Sequence, residues 1–268
     1  MKIGVLGKLS KIKSVSVIEE LVSLLETAGH TAVIFSAPSE IDGVDAVIVL
    51  GGDGAILHSA LPSARKGTKI IGINYGNLGF LTEYEKDEKE RISELLSLLN
   101  EKKCRILKRS ILEIEVCGKT FYALNEIALQ RDYGLNGAKS TQILRVEIET
   151  GEGKDVVSGD GVLICTPTGS TAYSLSAGGA ILTPEAPVFM LTPICAFSMR
   201  ARPTVYSDLE TFSLRITRGK GILLADGYCI ASLPEGVEVR VKKAPFTADF
   251  PVKENSDFFE KVRNKLNA

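Results

Sequence analysis

The sequence predicts a three-layer α/β first domain followed by a β-rich second domain, with a final helix that returns to the first. Three observations carry this. Short aliphatic runs at the length of buried parallel strands alternate with helical pieces up to about residue 103. From about Arg105 the texture changes to strict in-and-out alternation with turn signals and no helices. After Pro245 and Pro251, helical spacing reappears. The expected divisions are 1–103, 104–250 and 251–268. Taken in order, Lys2 to Gly7 reads as a strand, and Ser14 to Gly29 as a helix with Ile18, Leu21, Leu25 and Ala28 on one face and Gly29 as its stop. Thr31 to Ser36, Val44 to Leu50 and Lys69 to Ile73 read as further strands. In the second domain Ile111, Glu113 and Glu115 alternate with Leu112, Ile114 and Val116, and Thr120 to Arg131, Gln142 to Thr150 and Val162 to Thr166 continue the pattern. Turns at Cys117-Gly118-Lys119 and Gly151-Glu152-Gly153-Lys154 predict hairpins. Ser256 to Leu266 places Phe258, Phe259, Val262 and Leu266 at helical spacing.

At 268 residues the chain has ample core for two domains. Lys and Arg number 32 against 33 Asp and Glu, so no global basic field draws it to nucleic acid or anionic lipid. The chain starts directly on a strand with no signal-type region and no apolar run of about 18 residues, which predicts a cytoplasmic protein without membrane contact. Five widely spaced cysteines (Cys104, Cys117, Cys165, Cys195 and Cys229) lack Cys-x-x-Cys spacing and are expected to be buried thiols. With only His30 and His58, a His-rich metal centre is excluded and a Ser-His-Asp hydrolase is poorly supported.

Two glycine-flanked aspartates stand out. Gly51-Gly52-Asp53-Gly54 follows an apolar strand, and Gly159-Asp160-Gly161 precedes one. Glycines let backbone N–H groups approach a ligand closely, while the aspartate between them faces a hydroxyl or a metal; phosphate and sugar chemistry is implied. The second loop leads into Thr166-Pro167-Thr168-Gly169-Ser170-Thr171-Ala172-Tyr173-Ser174-Leu175-Ser176, dense in small polar groups. No Gly-x-x-x-x-Gly-Lys-Ser/Thr loop is present, and Leu57 stands where the third glycine of a dinucleotide fingerprint belongs. The first domain is therefore Rossmann-like without that fingerprint. Asn125-Glu126 interrupts an apolar run, and buried polar groups there need partners.

These segments, with Asn74-Tyr75-Gly76-Asn77-Leu78-Gly79-Phe80-Leu81 and Arg202-Pro203, resemble the NAD kinase family over most of the chain, least from about Tyr84 to Lys119 and after Gly227. The resemblance implies transfer of the terminal phosphate of ATP, or of polyphosphate, to the 2′-hydroxyl on the adenosine ribose of NAD, with a divalent cation, Mg2+, bridging phosphate oxygens. It implies that Asp53 orients or deprotonates that hydroxyl while Gly51, Gly52 and Gly54 cradle the phosphates. A carboxylate is a weak base at neutral pH, so positioning is the larger part of such a role; a purely structural Asp53 would cap the next helix. Asn125 and Glu126 would hold the adenine and ribose hydroxyls, and Asp160, Thr171, Ala172, Tyr173, Ser174, Leu175 and Ser176 would complete the dinucleotide site. His58 and Cys195 fall near ligands by the same resemblance, although a solvent-facing helical histidine and a buried thiol account for them equally well. A homodimer or homotetramer is implied as well.

The chain departs from the family at Ala196-Phe197, where many members have Pro-His, and at Tyr228, where many have Gln. Other classes compatible with the loops are a kinase acting on a lipid or sugar hydroxyl and a nucleotide sensor without turnover. No basic amphipathic helix favours the first, and retention of Asp53 disfavours the second.

Overall fold

A computed structural model of the chain describes residues 1–7, 16–76, 79–88, 91–132 and 143–266. These form two compact units: Met1–Arg109 together with Phe246–Ala268, and Ser110–Pro245.

The first unit opens with β1 (Lys2–Gly7), α1 (Ser16–Thr27), β2 (Thr31–Phe35), β3 (Ala46–Gly51), α2 (Asp53–Arg65), β4 (Lys69–Asn74), β5 (Tyr84–Glu85), α3 (Arg91–Asn100) and β6 (Arg105–Arg109). The first five strands form a sheet in the order β2-β1-β3-β4-β5, parallel throughout. Alternate residues on one face of the sheet, Ile3, Val5, Ile48, Leu50, Ile71 and Ile73, pack with Ile18, Leu21 and Leu25 of α1 and with Ile92, Leu95, Leu96 and Leu99 of α3. On the opposite face α2 packs on β3 and β4, with Ile56 fully buried. Three layers result, and strands buried on both faces read as continuous apolar runs rather than alternations. Strand order reverses between β1 and β3, and ligand crevices of such sheets lie beyond the carboxyl ends of the strands at that reversal. The Gly51–Gly54 turn joins the carboxyl end of β3 to α2, which is where this rule puts a ligand. Gly29 ends α1 with φ of +79°, as expected, but Ala28 lies past the last helical residue and is exposed, not on the buried face. Ser14, Asn77, Leu78 and Gln142 lie outside the described residues.

The second unit contains β7 (Leu112–Val116), β8 (Lys119–Ala123), β9 (Glu126–Arg131), β10 (Leu144–Thr150), β11 (Gly153–Gly159), β12 (Gly161–Cys165), α4 (Tyr173–Ser176), β13 (Val188–Ile194), β14 (Thr204–Ser207), β15 (Phe212–Arg218), β16 (Gly221–Ala225), β17 (Tyr228–Leu233) and β18 (Glu238–Lys243). Two six-stranded sheets, β11-β10-β15-β18-β7-β8 and β14-β13-β12-β9-β16-β17, share one core built from Ile114, Val146, Phe212 and Leu214 of the first and Ile127, Val162, Phe189 and Leu223 of the second. The alternation in β7 is the expected one, with Leu112, Ile114 and Val116 buried. The β7–β8 hairpin turns on Cys117 and Gly118, both at positive φ (49° and 72°), as two-residue hairpins require. The stretch from Thr120 to Arg131, which the sequence reads as strand-like with Asn125-Glu126 interrupting it, is two strands in different sheets, broken at Leu124-Asn125. The cause is Asp226, whose carboxylate accepts the backbone N–H groups of Leu124 (2.8 Å), Asn125 (2.7 Å) and Glu126 (3.2 Å).

The chain then rejoins the first unit through β19 (Ala248–Val252), antiparallel to β6, and α5 (Phe258–Leu266). Pairing of β6 with β19 keeps both strands in that unit, so the units change at 109/110 and 245/246, where the sequence reading had 103/104 and 250/251. Within α5 the expected apolar stripe is corrected: Val262 is buried, but Phe259 and Leu266 are exposed, and Lys261 turns inward to pair with Glu83. The thiols also differ from expectation. Only Cys165 is buried; Cys117 sits on a hairpin turn, Cys195 follows a strand end, Cys229 lies on an edge strand, and these three are exposed. Among the described residues no helix is long and apolar enough to cross a membrane.

Candidate functional site

In the first unit the site grows from the β3–α2 turn. Gly52 is the N-cap of α2 and Asp53 its first residue, so Asp53 does not cap the helix. Its carboxylate turns to the segment after β4: Oδ2 accepts the N–H of Phe80 and Oδ1 that of Leu81, both at 2.9 Å. Gly79 makes this approach possible, since a Cβ there would stand 2.6 Å from Asp53 Oδ1. The same segment is tied to the glycine turn at its start, where Tyr75 donates to the Gly51 carbonyl at 3.2 Å. Asn74 accepts from the Gly76 N–H at 3.0 Å and donates to the Glu85 carboxylate at 3.1 Å. Two motifs read separately in the sequence are thus one loop pair around one carboxylate. A Cβ on Gly52 or Gly54 would meet nothing within 4 Å, so the start of α2 is open on that side, as an anion requires.

The C-terminal segment supplies two lysines, and β6 supplies Arg109. Lys265 lies 3.2 Å from Asp53 Oδ2 and 3.9 Å above the Phe80 ring. Lys261 pairs with Glu83 at 2.6 Å, and Glu83 also accepts from the Lys253 N–H (2.9 Å) and the Ser256 hydroxyl (3.1 Å). Arg109, buried against the Phe250 ring, is pulled down to about 10 by desolvation, against the opposing pull of Asp53 and Glu83.

In the second unit Asn125-Glu126 is bound to the Thr166–Ser176 run. Thr166 donates its hydroxyl to the Leu124 carbonyl (2.6 Å) and its N–H to the Asn125 carbonyl (2.9 Å). The tight turn Thr168–Thr171 lies so close that a Cβ on Gly169 would stand 2.1 Å from the Asn125 oxygen. Thr171 closes that turn onto Thr168, Ser174 shares a buried hydrogen bond of 2.9 Å with Thr192, and Ala172, Leu175 and Ser176 complete the run with partial or full exposure. Glu126, Ala128 and Gln130 share the face of β9 away from the core, and Tyr173 spans it: its N–H reaches the Glu126 carboxylate and its hydroxyl accepts from Gln130 Nε2 at 2.7 Å. Glu126 and Gln130 are about 14 Å apart along the strand. Beyond Gln130, Asp160 pairs with Arg131 at 3.2 Å.

Glu126 is 7 % exposed, and its Oε2 has no hydrogen-bond partner. Burial first, and Asp226 second, raise its carboxyl to about 7, although the Tyr173 N–H opposes them. A buried acceptor of this kind is suited to a ligand hydroxyl.

Two expected residues fit less closely. His58 is exposed and about 140° around α2 from Asp53 by helical geometry. Cys195, exposed and at positive φ (44°), presents its carbonyl to Gly159, next to Asp160. Lys265, Asp226 and Gln130 were not anticipated; only Asp226 carried a signal, the Asp-Gly pair of a hairpin turn.

Family models described as "ATP-NAD kinase N-terminal domain" and "ATP-NAD kinase C-terminal domain" match residues 35–104 and 124–251. The NAD kinase of Christiangramia forsetii is 33% identical over 99% of this chain and 97% of its own length. That of Methanothermobacter thermautotrophicus is 31% identical over 99% and 96%. Among solved structures, an NAD kinase from Archaeoglobus fulgidus in complex with ATP superposes with a TM-score of 0.78 at 25% identity, covering all of this chain and 98% of that one. Yeast NADH kinase complexed with NADH gives 0.84 at 23% identity over all of this chain and 87% of that one, a likeness of fold.

Proposed function

The chain belongs to the NAD kinase family and is an enzyme that makes NADP from NAD, and on that premise we propose that Asp53 serves the acceptor hydroxyl in transfer of the terminal phosphate of ATP to the adenosine 2′-oxygen. The observation that carries this reading is the clamp on Asp53: two backbone N–H groups hold and orient its carboxylate at the carboxyl end of β3. Phosphoryl transfer asks a protein mainly for alignment and charge stabilisation. Asp53 aligns the attacking 2′-oxygen and accepts its proton as the new P–O bond forms, while the bond from the terminal phosphorus to the β-phosphate oxygen breaks and ADP leaves with that electron pair. Gly51, Gly52 and Gly54 leave the amides at the start of α2 to the phosphates of ATP.

Recognition of NAD falls to the second unit. Glu126 and Asn125 accept and donate to ribose hydroxyls and adenine, Tyr173 offers a flat face, and Asp160, Thr171 to Ser176 and Cys195 line the remainder. The elongated row from Glu126 to Asp160 suits a dinucleotide rather than a single small sugar. Among the described residues no group of three or more His, Cys, Asp or Glu side chains forms a metal cage. Mg2+ would enter with ATP, since this ion favours substrate phosphates with few protein carboxylates, and when bound it would draw charge off the transferring phosphate. We also propose a cytoplasmic homodimer or homotetramer that works without nucleic acid or membrane, a reading supported by the family resemblance.

Purified protein given NAD, ATP and Mg2+ should form NADP, read by a strictly NADP-dependent dehydrogenase, and should not phosphorylate the 2′-deoxyadenosine analogue of NAD. No product with NAD or NADH, and with ATP or polyphosphate, would overturn the proposal.

A further inference from the structure

We infer that Lys265, on the last turn of the C-terminal helix, is a catalytic cation of this site, shared between Asp53 and the phosphate in transfer. The inference rests on the reading of Asp53 given above. An ammonium has three N–H donors. One is spent on Asp53 Oδ2 at 3.2 Å, and the Phe80 ring, 3.9 Å away, supports the charge from one side. The side chain is still 33% exposed, which leaves a donor for an oxygen arriving next to Asp53. The need for such a cation is electrostatic. An Asp53 carboxylate alone repels the polyanionic phosphate that must approach the hydroxyl it aligns, and a lysine touching that carboxylate removes the repulsion while stabilising charge on the equatorial oxygens.

Docking of α5 does not require this residue. Asp257 accepts the N–H groups of Phe259 (2.8 Å) and Glu260 (3.2 Å) at the start of the helix, Val262 is buried, and Lys261 binds Glu83, whose side chain is only 7% exposed. Lys265 follows Lys261 by one helical turn and reaches past that anchor to Asp53. The C-terminal helix thus has two lysines with different duties: Lys261 fastens it, and Lys265 works at the reacting centre.

The test compares wild type, K265M, K265R, K265A and D53N by steady-state kinetics with NAD and ATP and by thermal unfolding. K265M should lose about 100-fold in kcat, with KM for NAD within about twofold and an unfolding temperature near wild type, because the methylene stem is retained. K265R should recover to within about tenfold of wild type, and ethylammonium should restore part of the K265A rate in a concentration-dependent manner, as a missing cation predicts. An inactive D53N beside a K265M enzyme with wild-type kcat would overturn this inference alone. A K265M or K265A protein that loses rate only in step with its unfolding temperature, with no rescue by ethylammonium, would assign Lys265 to helix docking and overturn it too. Wild-type turnover in D53N would overturn the Asp53 reading and this one together.

Discussion

Replacing Glu126 by Gln should change how stability responds to pH. The carboxyl is raised from an ordinary 4.5 to about 7, chiefly by burial. Between these values the folded chain keeps a proton that the unfolded chain has released, so stability falls as pH rises through the window and levels off above about 7. At about 1.36 kcal/mol per pH unit of displacement, Glu126 alone removes about 2 kcal/mol between pH 5.5 and pH 8. Gln does not titrate, so E126Q should lose this component and gain on wild type by that amount across the range. Urea unfolding of both proteins at several pH values, followed by circular dichroism, measures it, since other titrating groups cancel in the difference. A wild-type minus E126Q difference that stays constant with pH would refute the reasoning. The same carboxylate should take part in binding: a ribose hydroxyl donated to it favours the ionised form, so NAD binding near pH 6.5 should release protons in wild type and not in E126Q, as buffers of different ionisation enthalpy would register in calorimetry.

Three further substitutions probe the loops. Gly79→Ala puts a Cβ 2.6 Å from both Asp53 Oδ1 and Thr82 Oγ1, and displacement of the carboxylate should cut kcat at least about tenfold while circular dichroism stays native. Asp226→Ala leaves three backbone N–H groups of Leu124, Asn125 and Glu126 without their acceptor; urea unfolding should show a loss of about 3 kcal/mol, with a raised KM for NAD. Gly169→Ala drives a Cβ to 2.1 Å from the Asn125 carbonyl oxygen, backbone against backbone, and should cost about 3 kcal/mol or more and abolish NAD binding by calorimetry.

What could be read in advance followed from physics that acts locally. Strands buried on both faces of a parallel sheet are apolar runs, a hairpin needs its Cys117-Gly118 turn, and glycines flanking an aspartate mark a turn after a strand, so the α/β unit, the β-rich unit and the place of Asp53 between β3 and α2 were legible. The misses lie where distant residues decide. The interruption at Asn125-Glu126 is legible in the sequence, but Asp226, which holds the backbone there, lies about a hundred positions away. Lys265 meets Asp53 across 212 positions, and no periodicity in α5 singles it out. Phe259 and Leu266 read as an apolar face, yet the face turned inward carries Val262 and Lys261, the latter paired with Glu83 far away in sequence. Burial of thiols is a habit of residue type, and Cys117, Cys195 and Cys229 escape it through their positions on a turn, a strand end and an edge strand.

The central claim is that this chain moves phosphate from ATP to NAD through Asp53. Rapid-quench measurement of a single turnover, with γ-labelled ATP and NAD on wild type and on D53N, separates chemistry from binding and release. The account predicts labelled NADP within one turnover of wild type and a transfer rate lower by about 100-fold or more in D53N, with NAD still bound by calorimetry. Transfer at the wild-type rate in D53N would contradict it.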